Sequence, residues 1–295
     1  MGGWGSGRTA DARQVAKNVR ALPAAPRTAS DLDAALDAGL LTVAYQPVIS
    51  LSSGAVVAAE SLVRLRVPGS DALVPPDAFI PLAEATGRVA RIDRMVLALA
   101  VPLAVRWRAS LGGAAFSIGV NLSVAGLSDT DLPAYIERTC RSAGLPCDAL
   151  IVEVTETVLS VPGQGHEDTL NAIADLGCNV TMDDFGTGYS SLGHLSRFPV
   201  SGIKIDRRFV WELGTPGRGA RMPAALVRLG RDLDLHVVAE GVETAAQLDA
   251  LRRVGCPFAQ GYLISRPLPE EGLTAFLRSA APSASVPLPR AASRS

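Results

Sequence analysis

Asn179-Val180-Thr181-Met182-Asp183-Asp184-Phe185, then Gly202-Ile203-Lys204-Ile205-Asp206, then His236-Val237-Val238-Ala239-Glu240 are three short apolar runs, each interrupted near its end by a charged residue. Runs this short, separated by stretches with helical periodicity, read as strands of a parallel sheet. The same pattern extends in both directions. Thr42–Ile49, Ala55–Leu65, Phe116–Leu122 and Leu150–Thr157 precede these runs, and Phe258–Ile264 follows them. With Asn179–Phe185, Gly202–Asp206 and His236–Val242 they make eight candidate strands. Helical periodicity covers Asp131–Ala143, Ala220–Leu233 and Thr244–Val254, among others. Eight strands with helical stretches between most of them predict an α/β fold closed into a modified (β/α)8 barrel of the TIM type. Ser52-Ser53-Gly54 joins the first two strands too tightly for a crossover, so one strand is expected to run antiparallel.

The chain has 295 residues, of which 48% are hydrophobic and 19% charged, a globular composition. Lys and Arg total 28 against 29 Asp and Glu. That balance gives no electrostatic basis for DNA or RNA binding, or for a polybasic membrane contact. The longest apolar run, Met95 to Val105, is too short for a membrane span and contains Pro102. No signal-peptide core follows Met1, so the expected location is the cytoplasm, without membrane insertion. Met1-Gly2-Gly3-Trp4-Gly5-Ser6 formally fits a myristoylation pattern, which Gly-rich starts match by chance. Residues 1–30 are expected to be an N-terminal extension, flexible or with one short helix near Asp11–Leu22, serving as a linker or facing a protein partner. Residues 31–280 form one domain, and the Pro-, Ser- and Ala-rich residues 281–295 a disordered tail. Cys140, Cys147, Cys178 and Cys256 lack CxxC spacing and read as buried free thiols.

Polar residues sit where the strands end. Glu60, Asn121, Glu153, the pair Asp183-Asp184, Lys204, Glu240 and Gln260 interrupt seven separate segments. Each alone could be a strand-end residue facing solvent. A barrel, however, gathers its strand C-termini at one mouth, so seven in register point to convergence. Parity agrees: Ser117, Gly119 and Asn121 share a strand face, as do His236, Val238 and Glu240, and Gly202, Lys204 and Asp206. Five carboxylates against one lysine leave the mouth strongly negative, and two divalent cations would bring it to zero. All the donors are oxygen, with neither Cys nor His, which favours Mg²⁺ or Mn²⁺ over zinc. Asp183 and Asp184, adjacent in the chain, suit a carboxylate shared by two metals, an arrangement that serves phosphoryl chemistry. The chain has only two lysines, Lys17 and Lys204, against 26 arginines. A lysine inside an apolar strand suggests a need for a compact point charge, the alternative being a stem that snorkels to water.

Taken together these residues resemble a family. Tyr45-Gln46-Pro47, Glu60-Ser61-Leu62, Asn121-Leu122-Ser123, Glu153-Val154-Thr155-Glu156, Asp183 through Leu192, Lys204-Ile205-Asp206-Arg207, Ala239 through Thr244 and Gln260-Gly261-Tyr262 are similar to the EAL domain of bacterial cyclic di-GMP phosphodiesterases. The likeness runs from about Leu32 to Leu277. It implies metal-dependent hydrolysis of cyclic di-GMP to linear 5′-pGpG, with two Mg²⁺ or Mn²⁺ ions per site and a homodimer. By the same resemblance Glu60, Asn121, Glu153 and Asp183 would hold the first metal. Asp183 would bridge to the second, on Asp184, with Glu240 serving that site or its water. Lys204 matches the catalytic lysine, and Glu60 and Glu240 share in catalysis. Arg64, Gln260, Asp206 and Glu243 would meet substrate, and Glu156 would order the loop after Asp184.

Two positions depart from the family. Ser61 stands where Ala is usual and is expected to have a mild effect, and Leu65 stands where Trp is usual and is expected to weaken substrate positioning near Arg64. Two rival readings are a catalytically silent cyclic di-GMP receptor and a barrel enzyme for another phosphodiester. His166, His194 and His236 have no Ser or Cys partner motif, so a hydrolase triad is not expected. Gly214–Gly219 lacks the ending of a phosphate loop and reads as a connection.

Overall fold

The computed structural model describes residues 25–113, 115–156, 165–186, 193, 195, 197–213 and 221–279. The expectations for the N-terminal extension and its helix, the C-terminal tail, the 214–219 connection and His194 fall outside the described residues. Among the described residues there are nine strands: β1 Leu41–Ser50, β2 Val56–Arg66, β3 Leu73–Val74, β4 Ser117–Asn121, β5 Leu150–Thr155, β6 Asn179–Phe185, β7 Gly202–Ile205, β8 His236–Ala239 and β9 Phe258–Ala259. Their order is β1-β9-β8-β7-β6-β5-β4-β2-β3, and β1 also pairs with β2, which closes eight of them into a barrel. β2 and β4 through β9 run parallel, while β1 is antiparallel to both its neighbours. β3 only extends β2 at one end, antiparallel to it. The antiparallel strand follows from the hairpin: Gly54 adopts φ 75° and the turn closes through Gly54 N–H to Ser50 O at 2.8 Å.

The described helices are α1 Ala29–Asp37, α2 Ile80–Ala85, α3 Val89–Ser110, α4 Val124–Leu127, α5 Leu132–Ala143, α6 His166–Asp175, α7 Arg207–Trp211, α8 Arg221–Asp232, α9 Ala245–Arg253 and α10 Glu270–Ser279. Their starts are chemically marked. Thr28 and Thr244 build capping boxes with Asp31 and Gln247. Apolar side chains divide by strand parity into two sets. Phe116, Ile118 and Val120 point outward into the large core under the helices, with Trp107, Phe185 and Leu65. A small set of Val48, Val57, Ala58, Ile151 and Phe258 fills the barrel interior. Above that plug the inward positions turn polar, which places the site at the strand C-termini.

Two expected strand bounds are corrected. The last strand, expected over Phe258–Ile264, ends at Ala259, because Gly261 lies against the Val242 backbone and the chain turns there. β8 likewise stops at Ala239, short of Val242. Met95–Val105 belongs to α3, a 22-residue helix that carries Pro102 in its interior. Among the described residues no helix is long and apolar enough to cross a membrane.

Candidate active site

Lys204, in the middle of β7, is the hub. Its side chain is 3% exposed, and its Nζ lies 2.6 Å from Glu240, 2.8 Å from Glu153, 3.1 Å from Glu60 and 3.4 Å from Asp183. Those four carboxylates come from four different strands: Glu60 from β2, Glu153 from β5, Asp183 from β6 and Glu240 from just after β8. Glu60 stands in the middle of β2 rather than at its expected end, since β2 runs on beside β1 as far as Arg66. Burial alone would drive the Lys204 proton off, but the carboxylates outweigh it and hold the ammonium well above its ordinary range. The carboxylates respond unequally. Burial lifts Glu240 well above, and Glu153 to about 8, with Lys204 pulling the other way. Asp183 is raised too, by burial and by Glu60. Glu60 is buried as deeply, yet Lys204 and hydrogen bonds from Gln260 and Asn121 hold it below the usual range.

Local structure explains how each side chain arrives. Consecutive strand residues face opposite sides, so Asp183 and Asp184 cannot both enter a regular site. The β6–β7 register shifts between Met182 and Phe185, and Asp184 takes φ 54°, a left-handed conformation rare outside glycine. This bulge brings both carboxylates in, with Asp184 N–H donating to Asp183 Oδ1 at 2.8 Å. Burial, Asp183 and Asp206 lift Asp184 to about 6. Glu153 lies across β4, where position 119 must be glycine: a Cβ there would overlap Glu153 Oε1. Asn121 donates its amide to Glu60 Oε1 at 2.9 Å.

Gln46 is a site residue that sequence reasoning quoted but did not assign. It stands opposite Glu60 in the β1–β2 register, is buried, and accepts from Gln260 Nε2 at 3.0 Å. Gln260 Nε2 also donates to Glu60 Oε2 at 2.7 Å. The signal was available: a glutamine inside a strand that is otherwise apolar. Gln260 Oε1 is buried without a partner among the described residues, an acceptor held ready.

The remaining expected residues lie around this centre. Arg64 is half-buried, donates to Val63 O at 2.8 Å, and has Glu60 and Asp77 as acidic neighbours. Asp206 caps α7 through Arg208 N–H at 2.8 Å and touches Asp184. Glu243 is exposed in the turn before α9, where its N–H donates to Gln247, and does not join the cluster. Glu156 is buried beside the end of β5, and the loop 187–192 it was expected to order is outside the described residues. Leu65 corrects the reading made of it. It is buried in the outer core, on the strand face opposite Arg64, so its side chain is not part of the mouth. Ser61 does point away from the mouth, and its hydroxyl is buried without a partner. Cys140, Cys178 and Cys256 are buried but Cys147 is only half-buried, since it begins a short turn at the barrel floor. His166 bonds Ser128 at 2.9 Å and His236 packs on Phe258, both away from the mouth.

Glu60, Glu153 and Asp183 form one group whose ligand oxygens lie within 4.8 Å of one another, and Asp183, Asp184 and Glu240 form a second. The groups share Asp183. The residues fit two hard divalent cations: every donor is oxygen, and one lysine offsets only part of five carboxylates.

Comparison with known proteins agrees. A family model described as the EAL domain matches residues 29–267. The chain is 39% identical over 245 residues to the bifunctional diguanylate cyclase/cyclic di-GMP phosphodiesterase MucR of Pseudomonas aeruginosa, covering 83% of this chain and 36% of that protein. It is 38% identical over 249 residues to the cyclic di-GMP phosphodiesterase NbdA of the same organism, covering 84% and 32%. It thus spans about a third of the length of these curated relatives. Among solved structures, the PaMucR phosphodiesterase in its c-di-GMP complex matches with a TM-score of 0.76 at 38% identity, over 83% of this chain and 98% of that one. Klebsiella pneumoniae BlrP1, as a manganese/cyclic di-GMP complex, matches with a TM-score of 0.69 at 31% identity, over 78% and 57%. The family match, the barrel and the gathered strand ends lead to one conclusion: the chain belongs to the EAL-domain family.

Proposed function

We propose that this chain hydrolyses cyclic di-GMP, opening one phosphodiester to give linear 5′-pGpG, and that it needs two Mg²⁺ or Mn²⁺ ions to do so. The observation that carries the reading is the convergence of four carboxylates from four different strands on Lys204 Nζ, with Asp184 completing a second group beside them. The relatives named for this activity support it. Glu60, Asn121, Glu153 and Asp183 would hold one cation, and Asp183, Asp184 and Glu240 the other. When bound, the ions would lower the pKa of water and offset the charge on the attacked phosphate. Lys204, kept protonated by its neighbours, holds a positive charge at Nζ where the phosphate becomes more negative. Glu240, which burial keeps protonated while the site is metal-free, would have to lose that proton to a bound cation before its Oε1, beside Lys204 Nζ, could take one from the attacking water. Arg64 offers donors to a phosphate or base. Gln260 Oε1 would accept from a substrate N–H or from water, and Asp206, in contact with Asp184, and the exposed Glu243 would meet substrate outside the metal groups.

The test is incubation of purified protein with cyclic di-GMP and Mg²⁺ or Mn²⁺, with products separated by chromatography. Appearance of pGpG, abolished by EDTA and by Asp183→Ala, is expected. Tight binding without turnover would replace the reading with that of a silent receptor, and turnover of other phosphodiesters alone would move the substrate. Cytoplasmic location and a homodimer belong to the same reading. Light scattering of the purified chain tests the dimer.

A further inference from the structure

Asp93, on α3, is a buried carboxylate with no counter-ion. It is 6% exposed, and no salt bridge reaches it among the described residues. Burial, opposed by hydrogen bonds from Ser123 and reinforced by the charge of Glu84 on α2, lifts its pKa to about 6. An unpaired buried acid costs stability, so its contacts are where a compensating role must lie. Those contacts are all on one turn. Asp93 Oδ2 accepts from Ser123 N–H at 3.0 Å and from Ser123 Oγ at 2.6 Å. Ser123 Oγ in turn accepts from Gly126 N–H at 3.0 Å, capping α4. Position 126 has no room for a side chain, because a Cβ would strike Asp93 Oδ2. Leu122 N–H, on the other side, donates to Glu153 O at 2.9 Å. The chain that follows Asn121 is therefore clamped between the Glu153 strand and Asp93. The adjacent Arg94 fixes the far end of the same segment through Asp129 at 2.6 Å and Asp131 at 3.2 Å.

We propose that Asp93 is a positioning residue for the first cation: by holding Ser123 it fixes the Asn121 carboxamide against Glu60, and thereby sets the affinity of the Glu60–Asn121–Glu153–Asp183 group for a divalent ion. This rests on the metal-centre reading of the preceding section. Two charge-assisted hydrogen bonds to one carboxylate oxygen hold a turn more tightly than a neutral acceptor does. Groups one step behind a metal ligand typically change metal affinity by about 10–100-fold when removed.

The test is Mn²⁺ binding by isothermal titration calorimetry on the full chain without substrate, together with the Mn²⁺ concentration giving half-maximal hydrolysis. Asp93→Leu is expected to weaken Mn²⁺ binding by about 10–100-fold, with kcat recovering at saturating Mn²⁺. Asp93→Asn retains an acceptor for Ser123 and is expected to lose much less. Trp107→Phe, which deletes the buried bond to Thr274 Oγ1 at 2.9 Å far from the mouth, should lower Tm and leave Mn²⁺ affinity unchanged. If Asp93→Leu fails to fold, Ser123→Ala decides, with an intermediate weakening expected. Wild-type Mn²⁺ affinity in folded Asp93→Leu, or in Ser123→Ala, overturns the proposal, as does a matching loss in Trp107→Phe. Absence of Mn²⁺ binding by the unaltered chain would instead overturn the metal-centre reading beneath it.

Discussion

With four carboxylates around one ammonium, Lys204 is the residue on which the metal-free site depends most. Replacing it with Met leaves these acids buried without their cation, and breaking such buried pairs costs about 3–5 kcal/mol. Lys204→Met should therefore melt well below the parent in EDTA, recover much of the difference on adding Mn²⁺, and still lose about 10²–10⁴-fold in hydrolysis. Melting curves with and without Mn²⁺ check the first part and product assays the second; a variant hydrolysing at the parental rate would remove Lys204 from the chemistry. Ser61 makes the opposite case. Its hydroxyl is buried with nothing to bond, so Ser61→Ala should stabilise the fold by about 1 kcal/mol, raising Tm by roughly 2–4 °C with hydrolysis unchanged. The contrast also shows what a sequence discloses at this scale. Lys204 stood out because it is one of two lysines and breaks an apolar strand. Asp93 passed unnoticed because its neighbours are charged, although its spacing from Val89, Val96, Leu97 and Ala100 puts it on the buried face of α3.

At the scale of elements, the strands were readable because each is an apolar run ended by a polar residue, and seven of those polar ends proved to converge. What was not readable depends on partners distant in the chain. β9 looks like a seven-residue strand in isolation, yet its length is set by the approach of Gly261 to Val242. The bulge that turns in Asp184 depends equally on how β7 pairs with β6. α3 was obscured by Pro102, a residue that usually ends helices and here sits exposed in the interior of one. A proline there forfeits a backbone hydrogen bond, so Pro102→Ala is expected to stabilise the protein by up to about 3 kcal/mol. Chemical denaturation with an unchanged m-value would check it. A destabilised variant would mean that the proline is accommodated by a geometry the helix needs.

For the whole molecule, the balance of raised and lowered carboxylates sets how stability follows pH. Glu153 at about 8, Asp184 at about 6 and Asp93 at about 6 are all raised in the fold, and so are Asp183 and Glu240. A raised acid favours the fold below its unfolded pKa, and that contribution is lost as pH climbs through the folded value. The chelated protein should accordingly lose stability between about pH 4 and 8, with Glu60 partly opposing the trend at the acidic end. With Mn²⁺ present the trend should reverse, because cations displace those protons and bind more tightly as pH rises. Melting temperatures at pH 5.5 and 8, with EDTA or with Mn²⁺, should cross; parallel curves would mean that the cluster does not bind the ion. A second consequence comes from how the barrel closes. β1 meets β9 only through Ile49 opposite Ala259 and Ser50 opposite Phe258, whereas it pairs with β2 along nearly its whole length. Gln260, which donates to Glu60, and Gln46, which accepts from Gln260, sit on the two sides of that short join. Ion binding and barrel closure therefore share side chains, so in deuterated water the amides of residues 258–260 should exchange sooner than those of β5 and β6, and Mn²⁺ should slow them selectively. The mouth would then act as a clasp, and loading it would quiet the breathing of the barrel wall.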